Sequence, residues 1–372
     1  MNKFRILFYD MDLPYLLSDG DVPFGGSSVR INAFCRGLSN LEQDVGVLTF
    51  KGAKEIITTP SNYNIIESFD KAKGIKYLRW AFYRIPVLFL SIQKYKPDVL
   101  FQKSFGWITL VLLIISRLLK IKFVYLVSSD IETISIVKKD KNFVALLFSV
   151  FCLNHSDIII CQNKLQKYNL VKVLSNDKIF IVKNPFYIND NPTFSERIII
   201  KKKDYVAWVG NFRRIKGLDL LFEYARKNSG INFRIAGILL KAYDTELDLT
   251  IQSLMLLPNV EFVGNVKRKD MSDFIGSANI LLNTSEFEGF SNTFLEAFYV
   301  GTPIVSAYVN PDGIFNNRLL GVVSNGNLKF PFKGFIESID YEEYYRLSGE
   351  YLRSNHNYLE KARELLNIIR AL

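Results

Sequence analysis

The sequence contains few of the residues that stabilise secreted proteins or ligate metals. Its 372 residues include three cysteines and two histidines. The cysteines, Cys35, Cys152 and Cys161, have no paired spacing and stand among apolar residues, as buried free thiols do. A disulfide framework and a His/Cys metal site are therefore not expected, and the pattern favours a reducing cytoplasm.

The sequence also lacks a long hydrophobic run. Its most apolar stretch, residues 107–119, is interrupted by Ser116 and Arg117 and is shorter than the roughly 20 residues that span a bilayer. It predicts a buried or membrane-touching helix. The N-terminus predicts a first strand over 4–10 rather than a signal peptide, because a long apolar region and a small-residue cleavage site are missing. No G-x-G-x-x-G loop or G-x-S-x-G elbow supports a dinucleotide dehydrogenase or a hydrolase.

Acidic residues are in the minority in the first half of the chain. Residues 1–187 contain 25 Lys and Arg against 15 Asp and Glu, whereas residues 188–372 contain 22 of each. This split predicts either an anionic partner, such as a membrane surface, or solubility charge alone. Nucleic acid is not expected, since no recognition helix, zinc-finger spacing or ribonucleoprotein motif occurs. A membrane-facing patch is predicted on one helix, formed by Tyr77, Trp80, Phe82, Tyr83 and Arg84.

Strand-length apolar runs alternate with longer segments of helical period, the pattern of a parallel sheet covered by helices. In the first half, the predicted strands are 4–10, 45–50, 98–102, 122–128, 157–161 and 178–182, with helices near 27–40, 75–95, 106–119, 142–153 and 163–173. In the second half, the predicted strands are 205–209, 232–236, 260–263, 279–284, 303–306 and 321–323, with helices near 216–228, 243–256, 269–277 and 292–300. The pattern predicts an α/β protein with two doubly wound parallel-sheet domains in tandem and a ligand cleft at the carboxyl ends of the strands.

The predicted domain boundary lies in residues 183–204, which are rich in Pro and Asn and contain a Lys triplet. We expect an N-terminal domain over 1–187 and a C-terminal domain over 188–340. Residues 341–372 predict two amphipathic helices, which could pack back towards the N-terminal domain.

The most informative segment is 284–303, T-S-E-F-E-G-F-S-N-T-F-L-E-A-F-Y-V-G-T-P. A buried strand is followed by an acidic turn and then by a helix that begins near Ser291 or Thr293. Amides at a helix start bind anions such as a diphosphate. Glu288 can reach a sugar while Glu296 accepts hydrogen bonds from ribose hydroxyls. The alternative is a capping box from Thr293 to Glu296, in which Glu296 would serve only the helix.

The segment E-G-F-S-N-T-F-L-E-A-F-Y-V-G-T-P-I-V-S resembles the donor-site signature of the family 4 (group 1) retaining glycosyltransferases of GT-B fold. That fold places two Rossmann-like domains facing each other across a cleft. The resemblance implies that the domain over 1–187 binds the acceptor and that the domain over 188–340 binds the nucleotide sugar. Three further segments resemble family motifs in the same order: a glycine loop over 23–29, a basic loop over 208–217 and a strand over 257–264. The resemblance covers nearly the whole chain, strongly over 205–306 and loosely over 1–187.

The resemblance implies a set of site residues. Glu288 and Asp130 are the catalytic candidates. The donor-binding candidates are Gly25, Gly26, Arg213, Arg214, Lys216, Glu288, Gly289, Phe290, Ser291, Asn292 and Glu296. The family usually has Arg where this chain has Asn211, so Arg213 or Arg214 supplies the charge instead. Asp130 stands in the stretch 127–132, where many members carry a His.

The function implied is transfer of a sugar, with retention, from a nucleoside diphosphate sugar to a hydroxyl of a cell-surface glycan or lipid-linked acceptor. We expect a metal-independent hexosyl-type enzyme without a cofactor, because Arg, Lys and helix dipoles can neutralise the diphosphate. We expect it in the cytoplasm, peripherally on the inner face of the cell membrane. Two alternatives remain: a sugar-nucleotide 2-epimerase of the same fold, disfavoured by the lack of cleft histidines, and a catalytically silent binding subunit.

Overall fold

The computed structural model describes residues 3–20, 22, 24–139, 143–175, 177–187, 204–239 and 245–371. Its chain divides into two compact units. The first unit comprises Met1–Tyr187 together with His356–Leu372, and the second comprises Ile188–Asn355. The predicted boundary after residue 340 therefore lies inside the second unit. Of the predicted linker, 188–203 falls outside the described residues.

The first unit is built on a parallel sheet with the described strand order β3-β2-β1-β4-β5-β6-β7. Its strands are β1 (Arg5–Tyr9), β2 (Asp44–Thr49), β3 (Asn64–Glu67), β4 (Val99–Lys103), β5 (Lys122–Leu126), β6 (Ile158–Cys161) and β7 (Ile179–Ile181). The chain moves outward from β1 to one edge, then crosses to β4 and moves to the other. This reversal makes the ends of β1 and β4 the switch point of a doubly wound sheet.

The second unit repeats this plan with the described order β10-β9-β8-β11-β12-β13, again all parallel. Its strands are β8 (Val206–Val209), β9 (Phe233–Ala236), β10 (Val260–Gly264), β11 (Ile280–Asn283), β12 (Ile304–Ser306) and β13 (Val322–Val323). The switch point lies between β8 and β11. The predicted α/β class with two Rossmann-like parallel-sheet units is confirmed.

Helices connect the strands in both units. Along the chain they are α1 (Leu13–Leu16), α2 (Gly26–Asn40), α3 (Ala53–Ile56), α4 (Ile85–Tyr95), α5 (Trp107–Leu118), α6 (Asp130–Lys138), α7 (Phe143–Asn154), α8 (Lys164–Val171), α9 (Leu218–Lys227), α10 (Thr245–Met255), α11 (Met271–Gly276), α12 (Asn292–Val300), α13 (Phe332–Glu337), α14 (Tyr341–His356) and α15 (Tyr358–Arg370). No described helix is both long and apolar enough to cross a membrane.

The two faces of the first sheet carry separate cores, because side chains alternate along each strand. Ile6 and Phe8 of β1 point into a cluster shared with α2 and α15. Leu7 and Tyr9 point into the opposite cluster, shared with α4 and α5. The three cysteines are free and buried, as predicted.

Helix α15 returns to the first unit because it packs closely on α2. A side chain at Gly37 of α2 would lie 2.7 Å from both Ala362 Cβ and the Tyr358 carbonyl oxygen of α15. The helix is capped at its start by Asn357, whose side chain accepts hydrogen bonds from the amides of Leu359 and Glu360. Glycine at position 37 thus permits a close approach of the two helix backbones.

The predicted membrane-facing patch over 77–84 is wrong in its orientation. Residues Trp80–Arg84 form a π-helical turn rather than part of one regular helix. Trp80 and Tyr83 pack against the core, and the buried Arg84 stacks on the Trp80 ring and donates to the Lys71 carbonyl. Tyr77 and Phe82 are exposed. The wider turn changes the helical phase, so residues expected on one face are divided between core and solvent.

His356 gives the first unit a dependence on pH. The residue is buried, and its Nδ1 lies 2.7 Å from the Asn184 carbonyl oxygen. Burial lowers its pKa from 6.5 to about 3. Below pH 6.5 the unfolded chain therefore binds a proton that the folded chain does not. The stability that the neutral, buried imidazole provides is fully present above pH 6.5. It is lost as the pH falls from 6.5 towards about 3.

We expect the free energy of unfolding to fall by about 1.4 kcal/mol per pH unit across this window because of His356. Denaturant unfolding at several pH values should show a flatter dependence in His356→Gln than in wild type. The matched control is His155→Gln, since His155 is exposed and stacks on Phe151. Equal slopes in wild type and His356→Gln would contradict the assignment.

Candidate functional site

The segment from Glu288 to Glu296 lies where strand β11 ends, at the carboxyl edge of the second sheet. After the fully buried β11, the chain forms a loop, and α12 begins at Asn292. The Ser291 hydroxyl bonds the Thr293 hydroxyl at 2.8 Å instead of capping the helix backbone. The first turn contains no acidic residue. The positive end of the helix dipole is therefore directed at this edge without a carboxylate from its own first turn.

Lys216 binds Glu288 from the neighbouring loop. Its Nζ donates to Glu288 Oε1, and the Ser285 hydroxyl donates to the same oxygen at 3.0 Å. The Lys216 and Glu288 side chains keep 24% and 19% of their surface exposed. The ion pair is thus largely enclosed by the protein but open enough for a ligand to reach both charges.

The loops that carry Lys216 and Glu288 are fixed to each other by a hydrogen-bond chain. The indole of Trp208 donates to the Thr284 hydroxyl at 2.9 Å, and that hydroxyl donates to the Lys216 carbonyl at 2.7 Å. Gly217 follows with a φ of +62°, and a side chain there would lie 2.3 Å from the Thr284 carbonyl oxygen. Glycine is therefore required by both conformation and space, and the fixed contact preorganises the ion pair.

Arg268 binds Glu296, and sequence reasoning missed this cation. The Arg268 guanidinium contacts the Glu296 carboxylate, whose side chain is only 6% exposed. Arg268 lies in the loop after β10, within the run 267–269, Lys-Arg-Lys. That run after a strand was a usable signal, but three adjacent cations do not show which one turns towards the protein.

The predicted alternative of a capping box is not observed. The helix begins two residues earlier than the box requires, with Ser291 rather than Thr293 at the N-cap position. Glu296 therefore lies in the second turn, and its carboxylate contacts Arg268. A buried carboxylate needs a charged or hydrogen-bonding partner, and Arg268 supplies one.

The two remaining basic candidates lie outside the Lys216–Glu288 pair. Arg213 is exposed, and Arg214 pairs with Glu246 at 2.7 Å, with both side chains mostly exposed. A cavity of about 620 Å³ opens beside Arg214, and Glu246 and Glu286 also line it.

The donor-site neighbours of Glu288 are mostly buried. Gly289, Phe290 and Ser291 are buried, and Asn292 is half-buried at the start of α12. The Phe290 ring contacts the Phe294 ring edge-on, with centroids 6.5 Å apart. The loop is therefore anchored into the core on one side of the helix start.

In the first unit, the two candidate glycines lie at the start of α2. Gly25 is the extended N-cap residue, and Gly26 is the first residue of the helix. A side chain at Gly25 would meet nothing closer than 3.5 Å. The glycine is therefore not needed for packing within the protein, and its predicted contact with the donor remains a prediction. Pro23 of the same loop lies outside the described residues.

Asp130, the other catalytic candidate, begins α6. Its Oδ1 accepts hydrogen bonds from Asn163 Nδ2 at 2.9 Å and from Gln166 Nε2 at 2.8 Å. These contacts fasten α6 to the start of α8 at the carboxyl edge of the first sheet. Asp130 therefore has a structural role in addition to the predicted one, which remains a prediction.

Two Asp-x-Asp sequences, 10–12 and 19–21, occur near the N-terminus. Asp10 is buried, and its carboxylate binds Lys103 Nζ at 2.8 Å and the Ser28 hydroxyl at 3.2 Å. Asp21 lies outside the described residues. In the part of the chain that the structure describes, no group of three or more His, Cys, Asp or Glu side chains could hold a metal ion.

Comparison with known families concerns the second unit most directly. Residues 190–322 match the family model described as "Glycosyl transferases group 1". The matched range contains Lys216, Arg268, Glu288 and Glu296. This part of the chain is therefore similar to group 1 glycosyltransferases. No curated protein sequence matches the chain.

Solved structures match the whole chain. HepE of Anabaena in complex with UDP-glucose has a TM-score of 0.73 at 15% identity, covering 99% of this chain and 100% of that one. Sucrose-phosphate synthase from Thermosynechococcus elongatus has the same score and identity, with 99% of each chain covered. A TarM variant from S. aureus, in complex with fondaparinux, alpha-GlcNAc-glycerol and UDP, scores 0.73 at 11% identity, covering 98% and 99%. At these identities the likeness shows the fold, that of the GT-B glycosyltransferases.

Proposed function

We propose that this glycosyltransferase moves a sugar from a nucleoside diphosphate sugar to a hydroxyl of a cell-surface glycan or lipid-linked acceptor, with retention of configuration. The observation that carries the proposal is the pair of carboxylates at one sheet edge, each held by its own cation. Lys216 holds Glu288, and Arg268 holds Glu296. Two separately positioned carboxylates suit two different parts of one ligand.

The donor's phosphates fit the cationic side of this edge. Departure of a nucleoside diphosphate places developing negative charge on the phosphate oxygens, which fixed cations and helix amides stabilise. Lys216, the start of α12 over 289–292 and one of Arg213 or Arg214 supply these groups. Gly25 and Gly26, at the start of α2 in the first unit, remain predicted donor contacts.

The two carboxylates contact the uncharged parts of the donor, which are the ribose and the sugar. Glu296 accepts hydrogen bonds from the ribose hydroxyls, because a buried ionised carboxylate is a strong acceptor. Glu288 faces the sugar, where its charge stabilises positive character at the anomeric carbon as the bond to phosphate breaks. Asp130 is the candidate for a second contact to the sugar. Lys216 keeps Glu288 oriented.

Two other functions make different use of the same fold. A sugar-nucleotide 2-epimerase needs acid and base groups, usually including histidine. The two histidines here are the buried His356 and the exposed His155, and neither belongs to the site described above. A catalytically silent subunit would bind the donor without breaking it. Formation of a glycosidic bond separates transfer from both.

The acceptor and location complete the proposal. The excess of basic residues in the first half of the chain suits an anionic membrane surface, with the enzyme working peripherally on the cytoplasmic side. The UDP complexes of HepE and TarM make uridine diphosphate sugars the first donors to test. No cofactor or metal is required in this proposal, since cations and helix amides neutralise the diphosphate.

Donor binding should be strong in the presence of EDTA and should depend on the diphosphate. In isothermal titrations with chelator, we expect uridine diphosphate to bind about 10- to 100-fold more tightly than uridine, the range for one or two charge-assisted hydrogen bonds. Lys216→Ala should remove most of that difference, and Lys227→Ala, an exposed lysine on α9, should leave it unchanged. Equal affinity for the two ligands, or binding only after Mg²⁺ or Mn²⁺ is added, would contradict the proposal.

A further inference from the structure

Helices α4, α5 and α7 lie on one face of the first sheet and bury one side of each. Leu88 of α4, Leu112 of α5 and Cys152 of α7 share a single cluster with Leu7 and Phe123 of the strands. The opposite sides of the three helices face away from the sheet. Packing of the core therefore does not determine which residues stand on these outer sides.

The outer sides expose large apolar residues at helical spacing. We define the apolar face as these eight residues: Phe82, Leu90, Trp107, Ile114, Leu118, Val144, Leu147 and Phe151. Three of them, Phe82, Leu118 and Val144, expose 78%, 68% and 74% of their surface. Proteins that stay monomeric in water rarely expose so many large apolar side chains on neighbouring helices.

Aromatic contacts connect the three helices. Trp80, in the turn before α4, contacts Trp107 of α5 with ring centroids 4.3 Å apart. Phe105, just before α5, contacts Phe148 of α7 at 6.1 Å. These contacts place the start of α4 beside α5 and α5 beside α7, so the members of the apolar face lie on neighbouring helices.

The charge around the apolar face is predominantly positive, although Asp157, which follows α7, pairs with Arg117 of α5 at 2.8 Å. Residues 71–122 contain eleven Lys and Arg but a single acid, Asp98. No acidic residue occurs within the bounds of α4, α5 or α7. Exposed Lys94 and Lys96 stand at the end of α4, and exposed Lys120 follows α5. The occupant of this surface must therefore be both apolar and negatively charged.

A second copy of the chain fits this requirement poorly. A twofold interface brings the same patch of both subunits together, which would place cations near cations, and these outnumber the acids beside the face, Asp98 and Asp157. An anionic lipid surface offers hydrocarbon for the apolar residues and phosphate for the lysines. Helices of 11 and 12 residues are too short to span a bilayer but long enough to lie in its interface.

We propose that the apolar face, with Lys94, Lys96 and Lys120, binds an anionic membrane surface. The proposal deepens the membrane association included in the proposed function, and it differs from the patch expected from sequence. Trp107 enters the interface with its ring, as partly exposed tryptophans do. Sugar transfer is a separate activity of the chain, so either proposal can fail without the other.

Vesicle co-sedimentation of the full chain tests the proposal. At low salt, wild type should sediment with vesicles of equal parts phosphatidylglycerol and phosphatidylcholine, and not with phosphatidylcholine alone. The triple change Phe82→Asp, Leu118→Asp and Val144→Asp should lower the partition coefficient about 100-fold or more. Lys94→Glu, Lys96→Glu and Lys120→Glu together should lower it about fivefold per cation.

Matched controls come from the second unit. Leu249 and Leu256 expose 58% and 84% of their surface, so Leu249→Asp with Leu256→Asp changes apolar exposure elsewhere and should leave partitioning unchanged. Brominated lipids should quench wild-type fluorescence, and Trp107→Phe should remove most of the quenching. Circular dichroism and thermal unfolding of each variant show whether the changed unit remains folded, and uridine diphosphate titration shows whether the second unit does.

Three results would overturn the membrane proposal. Wild type could remain in the supernatant with anionic vesicles, or the triple variant could sediment like wild type. Wild type could also be a dimer that the triple variant converts to a monomer without any vesicle binding, which would make the apolar face an interface between copies. If the protein binds vesicles as expected but binds no nucleotide, the membrane proposal stands and the proposed donor site is wrong.

Discussion

Glu288→Gln should reduce sugar transfer by about 100- to 1,000-fold, the range for removing one electrostatic contact to a transition state. Glutamine keeps the size of the side chain and can still accept a hydrogen bond from Ser285, but it removes the charge. Affinity for uridine diphosphate should change little, because Glu288 serves the sugar rather than the phosphates. The thermal unfolding midpoint should also stay close to that of wild type.

Glu286→Gln is the matched control for this change. Glu286 is an exposed carboxylate in the same loop, two residues from Glu288. Its substitution removes the same charge at nearly the same place along the chain, and it should retain most of the activity. If both variants lose activity to a similar extent, the activity depends on the total negative charge of the loop and not on the carboxylate held by Lys216. Full activity in Glu288→Gln would remove Glu288 from the reaction.

Glu296→Gln should weaken nucleotide binding by about 10- to 100-fold, the range for lost hydrogen bonds to a charged group. Because the contact is to ribose, uridine and uridine diphosphate should lose affinity by the same factor. This separates Glu296 from Lys216, whose loss should affect only the diphosphate. Titrations of both ligands into each variant measure the difference.

Arg268→Gln should also weaken binding, because it leaves the buried Glu296 carboxylate without its cation. The neighbouring Lys267 is exposed, so Lys267→Gln is the control for loss of charge from the same loop. In a double-mutant cycle, the effects of Arg268→Gln and Glu296→Gln should be less than additive, since they break one contact. A large fall in the unfolding midpoint with unchanged nucleotide affinity would assign the pair to stability alone.

The part of the site that sequence reasoning predicted is the part encoded by local pattern. The strand before Thr284, the acidic turn, the helix start near Ser291 and the exit at Gly301 follow one another within a short segment. Each step depends on neighbouring residues: apolar run, glycine, helix former and glycine again. The predicted helix 292–300 coincides with α12 for this reason.

The missed elements depend on contacts that are distant in sequence. Helix α6 contains Ile131, Thr133, Ile134, Ile136 and Val137, and β-branched residues disfavour helices. Its packing on α8, with Asp130 bound to side chains of that helix, overrides the local preference. Strand β3 has only four residues at the edge of the sheet, too short for a period to be visible.

The apolar face shows a different limit. A helix such as α5, W-I-T-L-V-L-L-I-I-S-R-L, is apolar on all sides, and its sequence predicts burial or membrane contact without choosing between them. The structure separates the buried Leu112 from the exposed Leu118. Which residues are buried depends on the side of the helix that faces the sheet. The periodicity of the sequence does not specify that side.

The most direct test of the central claim is product analysis with purified protein and a panel of nucleotide sugars. Nuclear magnetic resonance should show release of a nucleoside diphosphate from one donor and a new glycosidic bond with the donor's anomeric configuration, both lost in Glu288→Gln. A donor that binds yet yields no glycosidic bond with any hydroxyl acceptor, or that returns only with inverted configuration at C-2 of the sugar, would contradict the account.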